Sequence, residues 1–241
     1  MKKFIAFSLL LITAAPSMGS MLYNDVFGQA PGPGGELFTG AGGGILDIVS
    51  LEVNNDATNI SFKFTLNGDV EATDWGKYML ILDTDPGGNT TTNGWCRPIS
   101  MASGADYWIG SWVDSGNGAE LYSWTDGAGA FCSGWYQPET TYNAPPNNDI
   151  SIVKSANTVT ITTLLANMNL IPGDIVQLDG FSSGGGGSDG AVDSLGNPNQ
   201  QIGDWGNASE AHAVSYTVKV PEPASLALLG LGALALIRRR R

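Results

Sequence analysis

The 241-residue sequence predicts an all-β fold, an antiparallel β-sandwich, set between two terminal segments of different character. Three observations support this. Short apolar stretches recur at close spacing, several of them alternate with period two, and clusters of Gly, Asn, Asp and Ser separate them. Between residues 20 and 219 no long helical period competes with them.

The elements follow in order. A Gly- and Pro-rich stretch at 31–44 reads as an irregular lead-in. Strands at 46–53 and 59–67 flank the turn Asn54-Asn55-Asp56-Ala57-Thr58. In the second strand Ile60, Phe62, Phe64 and Leu66 alternate with Ser61, Lys63 and Thr65, as in a strand with one buried face. Residues 77–83 are apolar on both faces through Tyr78, Met79, Leu80, Ile81 and Leu82, which places them centrally in a sheet. Further strands are expected at 106–113, 119–124 and 130–136. Residues 149–154 and 158–163 form a hairpin around Ser155-Ala156-Asn157. A helical or coiled patch at 164–170 precedes a strand at 174–181. A soft loop with four consecutive glycines follows at 182–190, and a strand at 213–219 closes the domain. These are about ten strands in a domain of about 200 residues, enough for a real core.

The ends of the chain have another purpose. Met1-Lys2-Lys3, an apolar run at 4–12 and small residues at 13–20 read as a cleavable signal peptide. The run is too short to span a bilayer. Ser17 and Gly19 suit the small-residue positions of the peptidase pocket, so 1–19 is the leader, and the Sec translocon and signal peptidase are its partners. At the other end Pro221-Glu222-Pro223 leads into the uncharged stretch 224–237 and then Arg238, Arg239, Arg240 and Arg241. As a helix, 224–237 reaches about 21 Å, short of the bilayer core of about 30 Å. Each arginine costs about 2.5–3.5 kcal/mol at mid-bilayer, so the cluster stays cytoplasmic and the tail stalls as a transient inner-membrane intermediate. The two prolines keep the segment before the helix extended and accessible.

Pro221-Glu222-Pro223, a short apolar transmembrane helix at 224–237 and the arginine cluster resemble the PEP-CTERM sorting tail, here 220–241. The resemblance implies processing by an exosortase, a membrane-embedded transpeptidase-like enzyme. It further implies a Gram-negative bacterium that makes exopolysaccharide, and delivery to the cell surface or the extracellular biofilm matrix.

Charge bounds the partners. The chain has 11 basic and 23 acidic residues. Lys2, Lys3 and the four terminal arginines lie in the end segments, but of the acids only Glu222 does. The ectodomain 20–219 therefore sets five basic against 22 acidic residues, near −17. Such a surface excludes nucleic acid as a partner and repels anionic polymers, whereas neutral polysaccharide and divalent cations suffer no such repulsion. Most of the acids serve solubility. Two exported cysteines, Cys96 and Cys132, are expected to form a disulfide.

Seven tryptophans remain to be explained. An indole stacks on the C–H face of a sugar ring and its N–H bonds a hydroxyl; it fills a core equally well. Trp108 and Trp112 share one strand face with Gly110 between them, and are the candidate glycan platform. Residues 59–135 resemble the family 9 carbohydrate-binding-module-like sandwich, through Ile60-Ser61-Phe62-Lys63-Phe64, Tyr78-Met79-Leu80-Ile81-Leu82-Asp83-Thr84-Asp85, Ala105-Asp106-Tyr107-Trp108-Ile109 and Glu120-Leu121-Tyr122-Ser123-Trp124. That resemblance implies the jelly-roll-type fold and, less directly, sugar binding. Asp83, Asp85 and Asn89 offer oxygens at alternate positions around Asp-Pro-Gly, as in a calcium loop. A plain turn explains them too, since the distal glutamate of an EF-hand is missing. No other cofactor is implied.

No catalytic motif stands out. The expectation is therefore not an enzyme but a surface or matrix protein associated with exopolysaccharide. A dedicated carbohydrate-binding module comes second and a glycan-active enzyme third.

Overall fold

Alternation decides which side of each strand is buried. In Asn59–Leu66 every second side chain is hidden: Ile60, Phe62, Phe64 and Leu66 are fully inaccessible while Ser61, Lys63 and Thr65 face outward. The computed structural model describes residues 19–25, 44–72, 75–114, 116–142, 147–200 and 207–220. They belong to the unit Gly19–Val220. In chain order the longer strands are β2 (Ile48–Asn55), β3 (Asn59–Leu66), β4 (Lys77–Asp83), β6 (Tyr107–Trp112), β7 (Gly118–Trp124), β8 (Trp135–Thr140), β9 (Ile150–Ser155), β10 (Thr158–Leu164), β11 (Ile175–Ser183) and β14 (Val214–Thr217). Four shorter ones are β1 (Met21–Asn24), β5 (Ile99–Ser100), β12 (Asp193–Ser194) and β13 (Ser209–Glu210).

Two antiparallel sheets result. One runs β1-β2-β3-β10-β9; the other runs β12-β11-β4-β6-β7-β8, with β14 also paired to β11. Leu51, Phe62 and Phe64 of the first meet Tyr78, Leu80, Ile109 and Leu121 of the second in one core, so the fold is an all-β sandwich. A short parallel pair, β13 with β5, lies outside both sheets.

The larger sheet is also covered on its outer face. Met79, Ile81, Trp108, Tyr122 and Trp135 form a second buried cluster there with Ile99, Met101 and Phe181. This is why β4 is apolar on both sides: it sits between β11 and β6 with a core above and below. The cover comes from β5 and the segments on either side of it, through Trp95, Ile99, Met101 and Ala105, and the segment before β5 also supplies Trp95 and Arg97 to the candidate site.

Several expectations shift. The strand expected at 130–136 is instead a turn followed by β8, which continues to Thr140. Pro138 is tolerated in β8 because that strand is a sheet edge, where a missing N–H costs no ladder bond. The patch at 164–170 is a 3-10 turn, Leu165–Met168. β11 extends through Ser183 into the expected loop. Most of the lead-in at 31–44, the signal segment 1–18 and the stretch 224–237 lie outside the described residues. Among the described residues no helix is long and apolar enough to cross a membrane.

Candidate functional site

Three strands aim side chains at the outer face. β4 contributes Lys77, β6 contributes Trp112, and β7 contributes Gly118 and Glu120; Lys77, Trp112 and Gly118 are aligned across the sheet. Glycine at 118 is needed, because a Cβ there would overlap the Trp112 indole. One step along, a Cβ at Gly110 would overlap the indole of Trp95. Trp95 thus fills the gap between the two tryptophans of β6. Its ring lies 6.3 Å from Trp108, edge-on, and 6.5 Å from Trp112 at 38°. Tyr142, just beyond β8, extends the row, 5.9 Å from Trp112 at 39°.

The loop that delivers Trp95 has no strand of its own, yet it is closely tied. Asn93 is fully buried; its Nδ2 donates to the carbonyls of Arg97 and Ile99, both at 2.8 Å, and its Oδ1 accepts from the N–H groups of Trp95 and Arg97. Cys96 forms the expected disulfide with Cys132, their Cα atoms 5.2 Å apart. Arg97 is buried and donates to Ser183 Oγ at 2.6 Å and to the carbonyl of Asp189 at 2.7 Å. Its guanidinium stands 5.3 Å from the centre of the Trp95 ring.

A carboxylate completes the floor. Glu120 Oε2 accepts from Trp95 Nε1 at 2.6 Å and from Tyr122 Oη at 2.8 Å, and Oε1 accepts from Tyr142 Oη. Burial, with the Glu120 charge second, holds the Tyr122 phenol well above its ordinary range. Tyr142 is raised for the same reasons, burial first and its bond to Glu120 next. Burial pulls Arg97 down, and the charge of Asp189 opposes this. At the rim Lys77 Nζ meets Asp114 Oδ1 at 2.8 Å. Together these residues line an open groove of about 430 Å³. It offers tilted aromatic faces beside hydrogen-bonding groups, and its two cations are matched by two carboxylates.

The other sequence candidates fall as follows. Trp112 lies in the groove, but Trp108 is fully buried beneath Trp95, so these two do not make an exposed pair. Even spacing along a strand fixes a common face and says nothing of what covers it. Trp95, Tyr142 and Glu120 were not singled out from sequence; the one local sign was Gly110, a gap that another ring had to fill. Asn89 Oδ1 is occupied by the N–H groups of Thr91 and Thr92, at 2.8 and 2.6 Å. Asp106 Oδ2 likewise accepts from the N–H groups of Thr84 and Asp85. Burial raises Asp83, assisted by the charges of Asp106 and Asp85 and opposed by a hydrogen bond from Ser103. Asn89 and Asp106 thus brace this turn through backbone donors, and among the described residues no three His, Cys, Asp or Glu side chains gather so as to hold a metal ion.

Pro221, Glu222, Pro223 and Arg238 through Arg241 lie outside the described residues. Comparison with curated proteins gives no match. Residues 219–241 match the PEP-CTERM protein-sorting motif, and the chain is accordingly an exported protein that passes through the membrane and is sorted by an exosortase-type system.

Proposed function

We propose that this is a non-enzymatic protein of the cell surface or extracellular matrix that associates with exopolysaccharide through the outer-face groove. One observation carries the reading: the row Trp95–Trp112–Tyr142, stepped by similar tilts over a hydrogen-bonding floor, on an exported domain. Such rings match the C–H faces of successive sugars. The balance of Lys77 and Arg97 against Asp114 and Glu120, within a domain near −17, favours neutral over acidic glycans. Glu120 has both oxygens engaged by protein donors, which suits a structural carboxylate better than a general acid or base.

Affinity electrophoresis of the isolated domain through a panel of neutral polysaccharides tests this. Retardation is expected, and Trp112→Ala with Tyr142→Ala should remove it while the thermal melt stays cooperative. Each ring is expected to contribute about 1–3 kcal/mol. Absence of retardation on every glycan would end the glycan reading and leave a purely structural matrix role. The second reading, a dedicated carbohydrate-binding module, shares the groove. It differs in requiring measurable calorimetric binding of a short soluble oligosaccharide, where a matrix role needs only the avidity of a polymer.

A further inference from the structure

Two aromatic rings cover the outer cluster of the larger sheet side by side. Trp108 of β6 and Tyr122 of β7 are direct cross-strand partners, and both are buried in that cluster. The Trp95 indole stands edge-on to Trp108, 6.3 Å away. Phe131 stands edge-on to Tyr122 in the same way, 5.5 Å away. Glu120 Oε2 ties the two pairs together, since it accepts from both Trp95 Nε1 and Tyr122 Oη. The disulfide ties them again. Trp95 precedes Cys96 and Phe131 precedes Cys132, whose Cα atoms are 5.2 Å apart, so the Cα atoms of Trp95 and Phe131 are at most about 13 Å apart. Position along the strands sets the order of the rings. On the outer face Trp112, Gly110 and Trp108 follow in steps of two, opposite Gly118, Glu120 and Tyr122. Trp95 fills the gap at Gly110, and Phe131 covers the rung beyond it, at the end away from Trp112.

Phe131 is 43% exposed, yet its backbone is closely held. Its N–H donates to the carbonyl of Trp135 at 2.9 Å, and its carbonyl accepts from the N–H groups of Gly134 and Trp135 at 3.0 and 2.7 Å. The next two residues, Cys132 and Ser133, have φ of 40° and 64°, a region that side chains other than glycine seldom enter. A turn bonded to itself and closed by a disulfide thus holds an apolar ring out to solvent. A ring fixed before binding gives up little freedom when a ligand packs on it. It carries no polar atom, so it suits the C–H face of a sugar and offers nothing to a charged group.

We propose that Phe131 is a further sugar-stacking residue, which carries the row Tyr142–Trp112–Trp95 past the end of the groove, so that the site takes several consecutive sugars of one linear neutral polysaccharide. This rests on the glycan reading of the groove and extends it. The test is affinity electrophoresis of the exported protein on xyloglucan, galactomannan and dextran, with thermal melts beside it. The parent is compared with Phe131→Leu, Phe131→Tyr and the double variant Trp112→Ala with Tyr142→Ala. Leucine keeps apolar bulk over Tyr122 but removes the flat face; tyrosine keeps both. Phe131→Leu should weaken retention several-fold with an unchanged melt, and Phe131→Tyr should be retained like the parent. Parental retention of Phe131→Leu, on a polysaccharide that the double variant no longer binds, would overturn this inference and leave the groove reading standing. Equal losses in the leucine and tyrosine variants would also overturn it, Phe131 then serving only as cover for Tyr122. A parent retained on none of the three polymers would overturn the groove reading, and this inference with it.

Discussion

Gly110 shows how one missing side chain shapes the groove. The Trp95 indole occupies the space that a Cβ would take, and it cannot slide freely because its N–H is bonded to Glu120 at 2.6 Å. Gly110→Ala should force Trp95 off the sheet, destabilise the domain by about 1–3 kcal/mol as overpacking does, and weaken retention on any polysaccharide the parent binds. Gly187→Ala is the control, since nothing lies within 4 Å of a Cβ there. Equal melts for the two variants would show that Trp95 is loosely held and that the groove described above is not rigid. At this scale the sequence was half legible. Gly110 between Trp108 and Trp112 marked a special face, but its filler comes from a distant loop with no periodicity to announce it.

The element that matters most is the connection between β4 and β5, which brings Trp95 and Arg97 over the larger sheet. It is held at Asn93, at Arg97 and by the disulfide to the turn before β8, where Cys132 and Ser133 adopt positive φ. Replacing both cysteines by serine should destabilise the domain by about 4 kcal/mol on the chain-entropy model. It should also speed amide exchange at residues 93–98 before exchange in β4 or β6. Unchanged exchange at Trp95 and Arg97 would show that the hydrogen bonds suffice without the bridge. Strands were legible where burial imposes a period, as in β3, or two-sided burial, as in β4. The two-residue strands β5, β12 and β13 were not legible, because two residues carry no period and their pairing is set by what the rest of the fold places beside them, and β1 has no buried face to give it a period. β8 starts later than the strand expected at 130–136 because residues 132–134 form a turn, with Cys132 and Ser133 at positive φ.

Across the whole molecule, acidity and burial act together on pH dependence. Asp179 is fully inaccessible and joins β11 to the segments at 194–196 and 212. Its carboxylate accepts from Gly180 N, Gly196 N, Ser194 Oγ and His212 N, at 2.8 to 3.0 Å. Burial raises it from 3.8 to about 7, outweighing the four donors, which favour the charged form. Asp193 is likewise raised to about 7, burial again first, in spite of its bond from Ile48 N. A carboxyl with a raised folded-state pKa binds more protons in the folded chain than in the unfolded one. Its stabilising contribution is complete below about 4 and is lost as pH climbs through about 7. For Asp179 the slope in that window approaches about 1.4 kcal/mol per pH unit. Asp56 works in the opposite sense, lowered by N–H bonds from Asn59 and Thr58, but it is largely exposed and its effect is small. Self-repulsion in a domain near −17 also grows as pH rises, in the same direction as Asp179. Thermal melts of the isolated domain should therefore fall steadily from pH 5 to pH 8. Asp179→Asn should lower stability overall, since an amide cannot accept from all four donors, and should flatten the pH slope. A melt that rises with pH in the parent, or a slope unchanged in the variant, would mean that Asp179 is ionised throughout, its four donors having overcome its burial.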